Sequence, residues 1–414
     1  MRLRTLLVLS WLLFCVGCAP TRPSPQAGSA TDPVILVSID GFRPDYLDRG
    51  QTPTLRALAA EGVRAKAMKP SFPSLTFPNH YTLVTGLYPD HHGIVNNRFV
   101  DPATGRRFVY NNAKTTVDAD WWGGEPIWVG AEKQGVRTAT MFWPGSESAI
   151  AGVRPSHWLP FNGKMMPRAR VDQLLAWMDQ PESGRARFYT LYFEQVDHAA
   201  HEDGPDAPSV NAALREVDTA IARLVAGLKQ RGEFDRVNLV VVSDHGGTAI
   251  SKERTIFIED LVPKDDAVAV NLGVLAGFNP RRGRTADVEA KLLRPHDHMR
   301  CWRKSDVPAR LHYGTNPRIP ALICLADDGW QISTREYLAS REKFSRGDHG
   351  YDNDDPNMRA LFIAHGPAFR RGLVVPEFDN VDVYPLLAHL LGIRPARNDG
   401  DFSVVAPMLR NARR

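Results

Sequence analysis

The chain has 414 residues, enough for one large α/β domain or two ordinary ones. Apolar residues make up 43% and charged residues 24%, the balance of a soluble globular protein with a sizeable core. The 51 basic and 47 acidic residues leave a formal charge of +4, which argues against a nucleic acid polymer as partner and still suits a small anionic substrate.

Arg2 and Arg4 precede an apolar run from Thr5 to Val16 that is too short to span a bilayer as a helix, and the small Gly17 stands before Cys18. Residues 1–18 therefore read as a secretory signal peptide. The box Cys15-Val16-Gly17-Cys18 resembles a bacterial lipoprotein processing site, with Cys15 where such boxes usually carry Leu. Lipidation of Cys18 and plain cleavage both remain open, and either implies export, to the periplasm or to the outer membrane as an anchored lipoprotein. Residues 19–32 are rich in Pro, Ser and Thr and read as a flexible tether. Only Cys301 and Cys324 remain beyond it; export permits one disulfide, and two unrelated buried thiols are the alternative.

From residue 33 onward, short β-branched runs end abruptly in polar residues. Val34 to Ile39 ends at Asp40, Phe188 to Phe193 leads into Glu194 and Asp197, Val237 to Val242 ends at Ser243-Asp244-His245, and Leu361 to Ala364 ends at His365-Gly366. Runs without polar alternation predict strands buried on both faces, as in a largely parallel sheet. Helical patterns lie between them at Thr52 to Glu61, Arg168 to Asp179 and Asn211 to Gln230. Strand then helix, repeated, predicts a three-layer α/β/α sandwich. Residues 33–405 form one catalytic domain in this reading, with an inserted cap at about 257–345, where charges and prolines multiply.

Ligands in open α/β sheets bind beyond the carboxyl ends of the strands, where Asp40, Asp197, Asp244 and His245 fall in this reading. Asp197 and His201 are four apart, so one helical turn puts both on one face. His349 sits between Asp348 and Gly350 in a glycine-flanked turn. Carboxylate with imidazole is the donor set of zinc held by N and O atoms, and six such ligands make two sites of three. Singly, each residue reads equally well as a helix cap, a solvated helix face or a loop histidine. Between Ser71 and His80, prolines and aromatics flank Thr76 in what reads as a stiff loop that fixes one hydroxyl as nucleophile.

These pieces match, in their order along the chain, the alkaline phosphatase superfamily. More closely, the chain resembles the nucleotide pyrophosphatase/phosphodiesterase family, as a bacterial member. The likeness rests on Thr76-Phe77-Pro78-Asn79-His80-Tyr81, Thr85-Gly86-Leu87-Tyr88-Pro89 and His92-Gly93-Ile94. It extends to Gly124-Glu125-Pro126-Ile127-Trp128, Phe142-Trp143-Pro144-Gly145-Ser146 and His349-Gly350-Tyr351-Asp352-Asn353. The resemblance implies an alkaline-phosphatase-like fold and two zinc ions per chain. One would be held by Asp197, His201 and His349, the other by Asp40, Asp244 and His245 with Thr76 as a further ligand. It implies Asn97 as donor to a phosphate oxygen, with Asn96 the competing candidate, and Phe77 with Phe161 as a sandwich for a nucleotide base. The expected activity is hydrolysis of phosphodiesters and nucleoside triphosphates through a phosphothreonine. A phospholipid head-group phosphodiesterase and a phosphomonoesterase are the alternatives. Where the family usually writes Pro and Gly in the Asp-x-x-x-His segment, this chain has Val196 and Ala200, which touches backbone shape more than ligand chemistry.

Overall fold

A computed structural model describes residues 32–340 and 343–411. The expected export signal, Cys18 and all but Asp32 of the tether lie outside the described residues. Twelve strands carry the argument. They are β1 (Val34–Ile39), β2 (Val63–Ala65), β3 (Thr138–Met141), β4 (His157–Leu159), β5 (Phe188–Phe193), β6 (Asn238–Val242), β7 (Ala267–Asn271), β8 (Leu275–Pro280), β9 (Met299–Arg303), β10 (Leu322–Ala326), β11 (Phe362–His365) and β12 (Leu373–Val375).

Eight of them form the central sheet, in the order β12-β2-β11-β6-β1-β5-β3-β4. Every neighbouring pair is parallel except those made by β11, which runs antiparallel to both β6 and β2. The run Leu361 to Ala364 is thus buried as expected, but reversed: His365 pairs with Leu239 near the start of β6, away from Asp244. An apolar run carries no direction, so the sequence pattern is the same either way.

Side chains of β1 alternate between two cores. Val34 and Leu36 join one hydrophobic cluster, while Ile35, Val37 and Ile39 join the other. Burying each such side chain contributes roughly 1.5–3 kcal/mol, which is why the run shows no polar alternation. Helices α1 (Pro53–Glu61), α3 (Pro167–Met178) and α5 (Pro208–Gln230) cover one face. Helices α2 (Thr76–Thr85) and α6 (Val383–Leu391) cover the other. Each of α1, α3 and α5 begins with a proline, whose missing N–H costs nothing in a first turn.

The second of these faces also packs against the segment that the sequence reading set apart as a cap. There β7, β8, β10 and β9 form a four-stranded antiparallel sheet in that order. Cys301 on β9 stands directly opposite Cys324 on β10 and the two are joined by a disulfide, so of the two alternatives the structure has the bridge. Among the described residues no helix is long and apolar enough to cross a membrane.

Candidate active site

The strand ends do what parallel packing predicts. Asp40 follows β1 directly, and Asp244 and His245 follow β6 after one residue. Because β1 and β6 pair in register up to Ser38 and Val242, their polar successors emerge side by side. Between them Gly41 has φ +68°, and a Cβ there would lie 3.0 Å from the side chain of Asp197, so the turn and the close approach both require glycine. Asp197 and His201 project from helix α4 (Gln195–Asp203), 3.5 Å apart, which bears out the four-residue spacing.

The donor atoms gather tightly. Asp40, Asp244 and His245 form one group, and Asp197, His245 and His349 another, each with candidate ligand atoms within 4.8 Å of one another. His201 groups with His349 and with Asp348, a carboxylate the sequence reading passed over. Asp197 lies 3.5 Å from His201 and 3.8 Å from His349, so the trio expected from the resemblance is together, with His245 as its near neighbour.

Three histidines are oriented alike. Nδ1 of His201 lies 2.8 Å from the Gly347 carbonyl, that of His245 2.8 Å from the Gly246 carbonyl, and that of His349 2.9 Å from the Ser74 carbonyl. A carbonyl only accepts, so each Nδ1 carries the proton and each Nε2 keeps its lone pair toward the carboxylates. That is the tautomer a metal ligand needs.

The electrostatics also call for a cation. Burial, with the charges of Asp244 and Asp197, raises Asp40 well above the ordinary carboxylate range. Burial would raise Asp244 too, but His245 and His80 outweigh it and hold that group well below. Burial pushes His349 down to about 3, helped by His245 and His201. For His201 burial is outweighed by Asp197 and Asp348, and for His245 by Asp244, so both are raised. Asp40 Oδ1 and Asp244 Oδ2 are buried and accept no hydrogen bond. Buried acceptors of this kind are costly unless something positive meets them. Two orphaned carboxylate oxygens beside three lone-pair imidazoles fit divalent zinc.

Thr76 is not in a loop. It opens α2, with Leu75 extended before it and Gly86 at φ 64° closing the helix. Pro78 falls in the first turn, where it is tolerated, so the prolines that suggested a stiff loop mark a helix start instead. Thr76 Oγ1 lies 3.2 Å from Nε2 of His245, the residue both tight groups share. Asn97 accepts from the Phe77 N–H through Oδ1 at 3.0 Å, which leaves its NH₂ free to donate. Asn96 instead accepts from the Arg98 N–H and is largely buried.

A cavity of about 1200 Å³ opens over these groups, lined by Asp40, Thr76, Asn97, Asp197, His201 and His349. Phe77 and Phe161 line it as well; Phe161 is 51% exposed and packs edge-on against Phe142 and Tyr192. Two further residues missed from sequence stand behind the ligands. The Tyr192 hydroxyl donates to Asp40 Oδ2 at 2.6 Å, and His80 lies 3.3 Å from Asp244 Oδ2. Tyr192 reads as one more apolar strand residue, and His80 was quoted only as part of a motif.

A mostly parallel sheet sandwiched by helices, with carboxylates and imidazoles at its strand ends and a hydroxyl among them, defines a hydrolase of the alkaline-phosphatase fold. The chain belongs to the type I phosphodiesterase / nucleotide pyrophosphatase family, whose model matches residues 34–352. It is 39% identical to a pyrophosphatase/phosphodiesterase of Schizosaccharomyces pombe described as uncharacterized, over 91% of this chain and 80% of that protein. It is 37% identical to the bis(5'-adenosyl)-triphosphatase of Xenopus laevis, over 98% of this chain and 86% of that one. Against ectonucleotide pyrophosphatase/phosphodiesterase family member 3 of Mus musculus identity is 36%, and the chain spans only 46% of that longer relative. Among solved structures, murine ectonucleotide pyrophosphatase/phosphodiesterase 5, inactive and in complex with AMP, superposes with a TM-score of 0.87 at 32% identity, covering 91% of this chain and all of that one. The names of these relatives are those of pyrophosphatases, phosphodiesterases and a bis(5'-adenosyl)-triphosphatase. They come from yeast, amphibian and mouse, so they lend no support to the expected bacterial source.

Proposed function

We propose that this protein is an exported phosphodiesterase and nucleotide pyrophosphatase that holds two zinc ions and works through a phosphothreonine at Thr76. The observation that carries the reading is Thr76 Oγ1, 3.2 Å from His245 Nε2 at the shared corner of two ligand groups and on the wall of the cavity. Asp40, Asp244, His245 and Thr76 would hold one ion, and Asp197, His201 and His349 the other. When bound, the ions would supply positive charge that lowers the pKa of a hydroxyl or water and stabilises charge building on phosphate oxygens.

The chain's own groups do the rest. Thr76 Oγ1 gives its proton to solvent and bonds to phosphorus as the bond to the leaving oxygen breaks, and that oxygen takes the electron pair. Water then displaces Thr76 in a second in-line step, losing a proton as Thr76 regains one, and the monoester is released; with a nucleoside triphosphate attacked at the α-phosphorus, the products are nucleoside monophosphate and pyrophosphate. The Asn97 NH₂ donates to a non-bridging oxygen throughout, a preorganised dipole of the kind that favours the transition state. Phe77 and Phe161 take the base. Arg2, Arg4 and the apolar run after them support export, to the periplasm or as a lipoprotein anchored at Cys18.

Charge favours diesters over monoesters. Among the described residues the cavity's cationic side chains are Arg98, lying over the Tyr110 ring, and Lys343, paired with Glu202 at 2.9 Å. Lys343 is held by its carboxylate, and the donor bonded beside Thr76, Asn97, is neutral, which suits the single charge of a diester. Side-by-side turnover of a nucleotide diester, a choline phospholipid and a phosphate monoester tests the assignment; faster hydrolysis of the monoester would overturn it. Phe161→Ala should raise KM for nucleotides about tenfold, since base stacking is worth roughly 1–3 kcal/mol, and leave a small aryl diester less affected. Equal effects on both substrates would remove Phe161 from the base site.

A further inference from the structure

We infer that His80 is a positioning residue that sets the nucleophile against the metal ligands. It rests on the reading of Thr76 and Asp244 given above. His80 lies four residues after Thr76 on α2 and is wholly buried, as is Ser38, the residue of β1 two before Asp40. Its Nδ1 is 2.9 Å from the Thr76 carbonyl oxygen and 3.3 Å from Asp244 Oδ2. Both are acceptors, so Nδ1 carries the ring proton. Nε2 then has the lone pair and accepts from the Ser38 hydroxyl at 2.8 Å.

One imidazole thus joins three parts that must agree in position: the first residue of the nucleophile helix, the strand that delivers Asp40, and the carboxylate Asp244. The ring is clamped edge-on by Trp143 at 5.1 Å and Tyr192 at 5.2 Å, and Trp143 donates from its indole N–H to the His80 carbonyl. Tyr192 is the residue that holds Asp40, so the two carboxylates of one ligand group are steadied by neighbouring side chains. A histidine that only filled core volume would not need a fixed tautomer, nor an acceptor on one nitrogen with a carboxylate close beside it and a donor on the other.

The amide of asparagine can place an N–H close to where Nδ1 stands, and that of glutamine close to where Nε2 stands. His80→Asn keeps the donor toward the Thr76 carbonyl, beside Asp244; His80→Gln loses it. In the full-length protein, kcat on a nucleotide diester should fall about 10- to 100-fold in His80→Gln with KM little changed, and only a few-fold in His80→Asn. Zinc affinity, read by chelator competition without substrate, should weaken about tenfold in His80→Gln and less in His80→Asn, the size expected when a group supporting a ligand is lost. Ser38→Ala, which frees the tautomer without emptying the cavity, should shift both readings the same way by less. If His80→Asn and His80→Gln lose kcat and zinc equally, in step with their melting temperatures, the role is packing and the inference is wrong. If zinc affinity splits as expected while Thr76→Ala stays active, it is the nucleophile assignment that fails.

Discussion

Thr76→Ala should reduce turnover on every phosphate ester by at least about 10⁴-fold, the scale seen when a covalent nucleophile is removed from an intact site. The loss should sit in kcat. Thr76 is half-buried at the first position of α2, and alanine is at least as good a helix former, so the melting temperature should stay within a degree or two. AMP should still bind, because the base slot and Asn97 are untouched; calorimetry on the variant would measure it. Thr76→Ser, which keeps the hydroxyl, should recover most of the rate. Undiminished turnover in Thr76→Ala would show that water attacks phosphorus directly and that no phosphothreonine forms.

Chelation should have the next largest effect. Asp40 and Asp244 are buried side by side, each with an oxygen that accepts no hydrogen bond, and Asp197 adds a third carboxylate. Stripping divalent ions should abolish activity and lower the melting temperature by several degrees, since an ion present at a thousand times its Kd stabilises by about 4 kcal/mol. Zinc should restore both better than magnesium, because magnesium prefers a shell of oxygens and these groups offer three imidazoles. Full turnover in a verified metal-free sample would sink the two-zinc reading.

Much of the site was legible because its chemistry sits at the ends of strands that announce themselves. Val34 to Ile39 is apolar but for Ser38, and Leu239 to Val242 is apolar, both being covered on both faces, so the polar residues just beyond them stand out as ligand candidates. Helical spacing put Asp197 and His201 on one face, and their place among the other strand-end residues made the pair stand out from a solvated helix face. What stayed hidden had no periodic signature. The first turn of α2 tolerates Pro78, and its β-branched and aromatic residues mask a helix. The reversal of β11 leaves no mark on an apolar run. His80, Tyr192 and Asp348 act through neighbours distant in the chain, and only the folded arrangement shows which atoms they face.

The placement of β1 has a consequence for how the enzyme comes into being. Val34 pairs on one side with Phe188 and on the other with Asn238, so the first strand of the domain is the centre of the sheet and waits for partners made much later. The neighbour on the far side of β6 is β11, at Phe362–His365, beyond the last residue matched by the family model. Closing loops of that length before any contact rewards them makes folding slow. A fragment ending at residue 352 would leave β6 with a bare edge, ready to pair with another chain. The sheet that sets Asp40 beside Asp244 is therefore completed only by residues near the end of the polypeptide.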